Sequence, residues 1–365
     1  MIYAFKATSN YPEVIKLDRN VIRENHRNGR QTNIMFDTNI LITIESAYKT
    51  EQRHKELKDS GVLALTRLIE KTSKYGVFIS PAAAYEELPP SRRGDMEAAL
   101  NRFLKDYLPT FRDDPNSINV PFAGGSVDPE SFSAMSLERQ QAVSCSYASL
   151  LAMNVIYRLD ALTELEKFVL YIDYCAEVLD LVSLKELTVA RYMFAPEKGI
   201  TEDLRKRKVA TTKNFAQLKK GGGKGLTPPE IIERIALNGA NDLKLISAAD
   251  IVNNSREQFA YGLIKHDVWI ATSDEKLYEF CCACPGFMGR KAGGPLARFI
   301  DSHDDIAGTR YWRDTMEIQQ HRLKGRYSTV DRAREMDSIV EAALDIEEKL
   351  RGGKANNYFS LSKWR

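Results

Sequence analysis

The sequence contains no run approaching the ~18 uninterrupted apolar residues of a membrane-spanning helix. Its start, Met1-Ile2-Tyr3-Ala4-Phe5-Lys6, lacks the apolar stretch of a secretory signal. A cytoplasmic protein with no membrane contact is therefore the expectation. Cysteine is scarce. Cys145, Cys175, Cys281, Cys282 and Cys284 form no even, spread framework of the kind seen in small secreted domains, which agrees with a reducing compartment. Three of them crowd at 281–284, but no second Cys or His pair follows at zinc-site spacing, so core packing is their expected role. An excess of one charge is missing too: at a net charge of +2, any attraction to nucleic acid must come from local basic patches. No internal repeat is present. The glycines at 221–223 make no phosphate-cradling loop either, because Lys224 is followed by Gly225 and not by Ser or Thr.

What is present is an ordinary globular composition, 43% hydrophobic and 28% charged, over 365 residues, enough for two or three domains. Three short β-branched or aromatic runs, at 34–36, 77–79 and 268–272, have strand character. Each precedes a helical stretch, at 40–48, 82–88 and 275–282. Continuous apolar strands alternating with helices predict a parallel sheet covered on both faces, with ligands outside the carboxyl ends of the strands. Between Pro89 and Asn241 the alternation stops. Segments such as 136–154 and 162–194 show helical spacing, which predicts a mainly helical insertion. Near its end, eight cationic and no anionic side chains lie between Arg205 and Lys224: Arg205, Lys206, Arg207, Lys208, Lys213, Lys219, Lys220 and Lys224. Such a run is either a solvated linker or a phosphate-contacting surface. Residues 333–350 are amphipathic, with Met336, Ile339, Val340, Ala343 and Leu344 on one face, suited to packing or to a partner.

Cleaving a phosphodiester at neutral pH requires an activated water and neutralised phosphate charge, which one or two divalent metals on carboxylates provide. Acids where strands end are thus the candidates. Asp37 follows Ile34-Met35-Phe36 and precedes Thr38-Asn39; a helix cap explains it equally well. Asp274 stands in the same way after 268–273. Glu86 and Glu87 lie on the helix after the second strand, about 100° apart, so at most one faces the Asp37 cleft. Asp242 is expected at a helix start, held ionised by the helix dipole. Asp250 lies ~12 Å further along that helix and rotated away. The acidic cluster at 301–305 and His266 read as capping and surface residues.

Together these elements resemble the PIN-domain nucleases: a strand ending Asp37-Thr38-Asn39, a strand ending at Ser80 with Glu86 six residues on, an Asp242-x-x-x-Ile246-x-Ala248-Ala249 helix, and a strand ending Thr272-x-Asp274. The resemblance covers residues 31–90 and 238–300. It implies an α/β fold, a three-layer α/β/α sandwich with a central parallel sheet. The helical insertion spans 91–237, residues 1–30 form an N-terminal extension, and 301–365 form a helical C-terminal extension. It further implies Mg²⁺ or Mn²⁺ held by Asp37, Asp242 and Asp274, with Glu86 as the fourth catalytic acid. Asn39 and Thr272 would orient the ligands, and single-stranded RNA would be the substrate. Two departures stand out. The family often has Glu followed by Leu, which selects Glu87 where the spacing selects Glu86. The insertion also separates the second and third acids far more widely than in compact relatives. Arg205, Lys206, Arg207, Lys208, Lys219, Lys220 and Lys224 are the candidate nucleic-acid contacts. A protein partner or a second copy would bind through the insertion or the C-terminal helices. Two other readings compete. One is a catalytically inactive PIN-like module that binds RNA or protein. The other is a haloacid-dehalogenase-like phosphatase, which needs a second acid where this chain has Asn39.

Overall fold

The computed structural model describes residues 1–9, 14–109, 111, 131–181, 183–218, 225–254, 265–284, 286–291, 294–299, 306, 308–322 and 332–359. The chain gathers into two compact units. One comprises Met1–Glu130 with Leu245–Ala297, the other Ser131–Lys244 with Arg298–Arg365.

The first unit is mixed α/β. In chain order it contains β1 (Tyr3–Lys6), β2 (Thr8–Ser9), β3 (Ile15–Lys16), α1 (Arg19–Arg27), β4 (Arg30–Phe36), α2 (Thr38–Tyr48), α3 (Arg53–Asp59), α4 (Val62–Thr72), β5 (Val77–Ser80), α5 (Ala82–Glu87) and α6 (Pro90–Tyr107). The later segment returns to it with β6 (Lys265–Thr272). The main sheet has the order β3-β1-β6-β4-β5. Its three longer-range partners, β6, β4 and β5, run parallel, whereas β1 pairs antiparallel with β6 and with β3.

Burial explains the order. Residues 268–272 of β6 are all buried, which suits a strand covered on both faces and hydrogen-bonded on both sides. The alternating burial of β5 suits its place at the edge. Register aligns Ile34 with Trp269 and Phe36 with Ala271, and these four face one core together with Ile22, Ile40, Leu41 and Ile44. Met35 and Ile270, equally buried, point the other way, as a period of two requires.

Two boundaries differ from those read in the sequence. The segment set apart as an N-terminal extension supplies β1 and β3, two strands too short to show a pattern. The helix that opens the supposed insertion, α6, buries Met96, Ala99, Leu100 and Phe103 in the core of the sheet-bearing unit. A short sheet of β2, β7 (Gly286–Lys291) and β8 (Gly294–Phe299) joins β2 to β7 in parallel.

The second unit is helical. Its described elements include α7 (Leu137–Tyr157), α8 (Glu164–Tyr174) with a π-helical turn at Cys175–Leu179, α9 (Leu184–Met193) and α10 (Glu202–Phe215). Helices Arg310–Arg322, Arg332–Arg351 and Ala355–Tyr358 follow in the same unit. The long helix α11 (Pro228–Asn254) begins in this unit. Residues 147–156 of α7 are all buried, which marks it as the central helix. Gly239 of α11 is required by close packing: a Cβ there would stand 2.8 Å from the Phe215 ring and 3.0 Å from Leu150. Among the described residues no helix is long and apolar enough to cross a membrane.

Candidate functional site

Strand β4 ends at Phe36, and the backbone N–H of Asp37 extends the ladder by one bond, donating to the Ala271 carbonyl at 2.9 Å. Asp37 is thereby fixed at the carboxyl end of β4, beside the carboxyl end of β6. Its side chain is 4% exposed. Although Asp37 occupies the cap position of α2, its carboxylate makes no capping hydrogen bond. It is held from two other directions: Asn39 Nδ2 donates to Oδ2 at 2.8 Å, and the Thr272 hydroxyl donates to the same oxygen. Oδ1 receives no hydrogen bond from the described residues.

Thr272 is fully buried, and its hydroxyl also accepts the backbone N–H of Asp274 at 2.8 Å, so one side chain links the two strand-end aspartates. Asp274 is the cap that its position suggested, with Oδ1 accepting from Lys276 N at 2.9 Å and Leu277 N at 3.4 Å at the start of α12 (Glu275–Ala283). Two aspartates that each lie between a strand and a helix therefore have different outcomes. One oxygen of Asp274, Oδ1, caps a helix, whereas neither oxygen of Asp37 does.

Of the two glutamates on α5, Glu86 is exposed, and Glu87 accepts the hydroxyl proton of Thr38, the residue next to Asp37. Glu87, not the Glu86 that the spacing from Ser80 favours, is the acid brought towards Asp37. Adjacent helical side chains diverge by about 100°, and the short α5 turns its last residue inward. Thr38, part of the Asp37-Thr38-Asn39 strand end read in the sequence, directs its hydroxyl to Glu87. Its signal was a hydroxyl directly after a strand-end acid, hidden behind the capping preference of the same residue type.

Asp242 does not open a helix. It lies near the middle of the 27-residue α11, which starts at Pro228 with Thr227 and Glu230 forming the cap. The dipole effect fades within the first turn and does not reach it. Asp242 belongs to the helical unit, where Asn214 Nδ2 donates to its Oδ2 at 3.1 Å. Asp250, on the same helix, falls in the sheet-bearing unit and is buried.

The basic run divides as well. Arg205 pairs with Glu202 at 2.9 Å on the surface of α10, and Lys206 is exposed. Arg207 and Lys208 are buried. Arg207 reaches the Tyr192 hydroxyl at 3.2 Å, while Lys208 binds the Ala195 carbonyl and pairs with Glu197 at 2.7 Å. These two cations are engaged inside the helical unit and do not form a phosphate-binding surface. Lys219, Lys220 and Lys224, with the 301–305 cluster, lie outside the described residues.

At the opposite end of β6, the buried Asp267 takes Lys6 Nζ, Asn25 Nδ2 at 2.8 Å and Trp269 Nε1 at 2.7 Å, so its lone pairs are committed to structure.

Among the described residues no three or more His, Cys, Asp or Glu side chains form a group able to hold a metal ion. A closed carboxylate cage is thus absent from them. Mg²⁺ is commonly bound by only one or two carboxylates, its remaining positions filled by water and substrate phosphate. The all-oxygen donors at the end of β4, with Oδ1 of Asp37 uncommitted, fit that class of site. Comparison with protein-family models, curated proteins and solved structures gives no match to this chain.

Proposed function

We propose that the chain is a nuclease that hydrolyses phosphodiester bonds at Asp37, with single-stranded RNA as the substrate class, Mg²⁺ or Mn²⁺ as cofactor and a PIN-like α/β/α sandwich as scaffold. The supporting observation is the state of Asp37: buried at the carboxyl end of a parallel strand, excused from capping, and gripped through one oxygen so that the other is presented. Parallel sheets bind ligands at this edge.

Asn39 and Thr272 would hold the Asp37 carboxylate in one orientation, because both donate to it. Thr272, by holding the Asp274 amide as well, sets the separation of the two strand ends. Glu87, through Thr38, would stand by as a further acid at the edge. When bound at Asp37, the metal supplies charge neutralisation at the phosphate and a more acidic water.

Asp37→Asn tests the reading while keeping the size of the side chain. Cleavage of a labelled single-stranded RNA in Mn²⁺ should fall by roughly 10²-fold or more, the scale of removing one preorganised electrostatic group. Unchanged cleavage would remove Asp37 from the chemistry. Wild-type protein that binds RNA in Mn²⁺ and never cuts it would favour an inactive binding module.

A further inference from the structure

A second polar site lies in the sheet-bearing unit, at the far end of α2 from Asp37. There Tyr48 and Thr50 meet Arg53 at the start of α3 and Arg102, Lys105 and Asp106 on α6, around an open cavity of about 360 Å³. The 11 residues of α2 place it ~16 Å along the axis from Asp37. Three cations and one anion line it, an excess of two positive charges on a molecule whose whole net charge is +2.

The internal contacts show what it is built to hold. Arg53 Nη1 and the Tyr48 hydroxyl both donate to Oδ2 of Asp106, each at 2.8 Å. The Arg53 guanidinium lies over the Tyr48 ring at 4.6 Å, which fixes its plane. Two donors thus converge on one anionic oxygen. Arg102 and Lys105, which line the same cavity, make no ion pair with the described residues. The Arg53–Asp106 pair is itself nearly half exposed, at 43% and 44%, and surface pairs of this kind contribute little stability.

We infer that this cavity binds a phosphate of the substrate's sugar-phosphate backbone, with Asp106 occupying the anion position until the phosphate displaces it. A phosphate oxygen takes over the bonds from Arg53 and Tyr48, and the neighbouring oxygens meet Arg102 and Lys105, which no carboxylate among the described residues neutralises. Neighbouring aromatics favour a polynucleotide over an acidic peptide. The exposed His54 ring stacks on Tyr107 at 6.2 Å, next in sequence to Arg53 and Asp106, giving bases a surface to stack on. The inference rests on the nucleic-acid reading above and supplies a backbone anchor remote from the scissile bond.

The test is binding, kept separate from cleavage. Fluorescent oligouridylate is titrated into the full chain in chelator over a range of salt. Combined Arg53→Ala, Arg102→Ala and Lys105→Ala should reduce the slope of log K against log salt by about 0.7, the contribution of one single-strand phosphate contact. Asp106→Asn should tighten binding several-fold, because an internal competitor is gone; a merely structural role for Asp106 would not do this. Thermal melts confirm that both variants fold. An unchanged slope, a weaker Asp106→Asn complex, or equal losses for an oligoglutamate of matched charge overturns the inference. RNA cleavage that persists with an unchanged slope removes the cavity and leaves the hydrolytic reading standing. A reduced slope without cleavage does the reverse.

Discussion

Aspartates at strand ends are ambiguous in sequence because the residue that caps a helix is also the residue that binds a metal. Asp37 and Asp274 each follow a buried strand and precede a helix, and only their hydrogen bonds separate them. The distinguishing residue was already visible: Asn39, two positions on, reaches back to Asp37, whereas the equivalent position after Asp274 is Lys276, whose backbone N–H takes the cap instead. The choice between Glu86 and Glu87 was not legible, since α5 is a single short helix whose rotation is set by packing against α2 and β4. The contact between Glu87 and Thr38 leads to a prediction. Glu87→Gln should slow RNA cleavage by roughly 10-fold or more, the scale of losing a partner of a reacting group, and Glu86→Gln should leave it within about twofold. Initial rates on one labelled substrate decide it. The opposite ranking would return the assignment to Glu86.

At the scale of elements, the four consecutive cations at 205–208 illustrate why composition alone misleads. On a helix turning 100° per residue, four neighbours cannot all face water. Leu204, Arg207, Lys208 and Thr211 share the inner side of α10, all buried, so the spacing that predicted a helix also implied that part of the run would be internal. The C-terminal helix was more legible. Its apolar stripe packs against α7, burying Ile339, Val340, Ala343 and Ile346. That burial takes Glu347 with it. Desolvation raises its pKa above the ordinary 4.5, opposed by the Tyr147 hydroxyl, which donates to it at 2.6 Å, and by Arg351. A carboxyl that binds its proton more tightly when folded contributes stability that is full below the unfolded pKa. That contribution is lost as pH rises through the folded value. Glu347→Gln, which cannot titrate, should therefore flatten the decline in stability of the helical unit as pH rises from about 4.5 towards neutrality. Urea midpoints measured at a series of pH values for both proteins check it, and parallel profiles would show that Glu347 does not contribute.

At the scale of the whole molecule, the alternation of strand and helix gave away the parallel core, because β4, β5 and β6 are apolar runs each followed directly by a helix. The antiparallel margin was hidden. Strands β1 and β3 have four and two residues, and no periodicity can be read over such lengths. The consequence is topological. Strand β6 lies between β1 and β4, yet it arrives only after Ser131–Lys244 of the helical unit has been synthesised, so the most buried strand of the sheet is the last to be made. A fragment of residues 1–130 would have β4 lacking its partner along one whole edge. The apolar side chains that Trp269 and Ala271 cover would then be open to water. We expect that fragment to be aggregation-prone and without a cooperative thermal transition. Supplying residues 245–299 as a separate chain during expression should restore β6 and its pairing, giving a soluble one-to-one complex that melts cooperatively. Co-purification on a tag carried by either piece, followed by circular dichroism, measures both properties. Cooperative melting of the 1–130 fragment alone would mean that β6 is dispensable to the sheet. The end of β4 would then not need Ala271 and Thr272 to hold Asp37 in place.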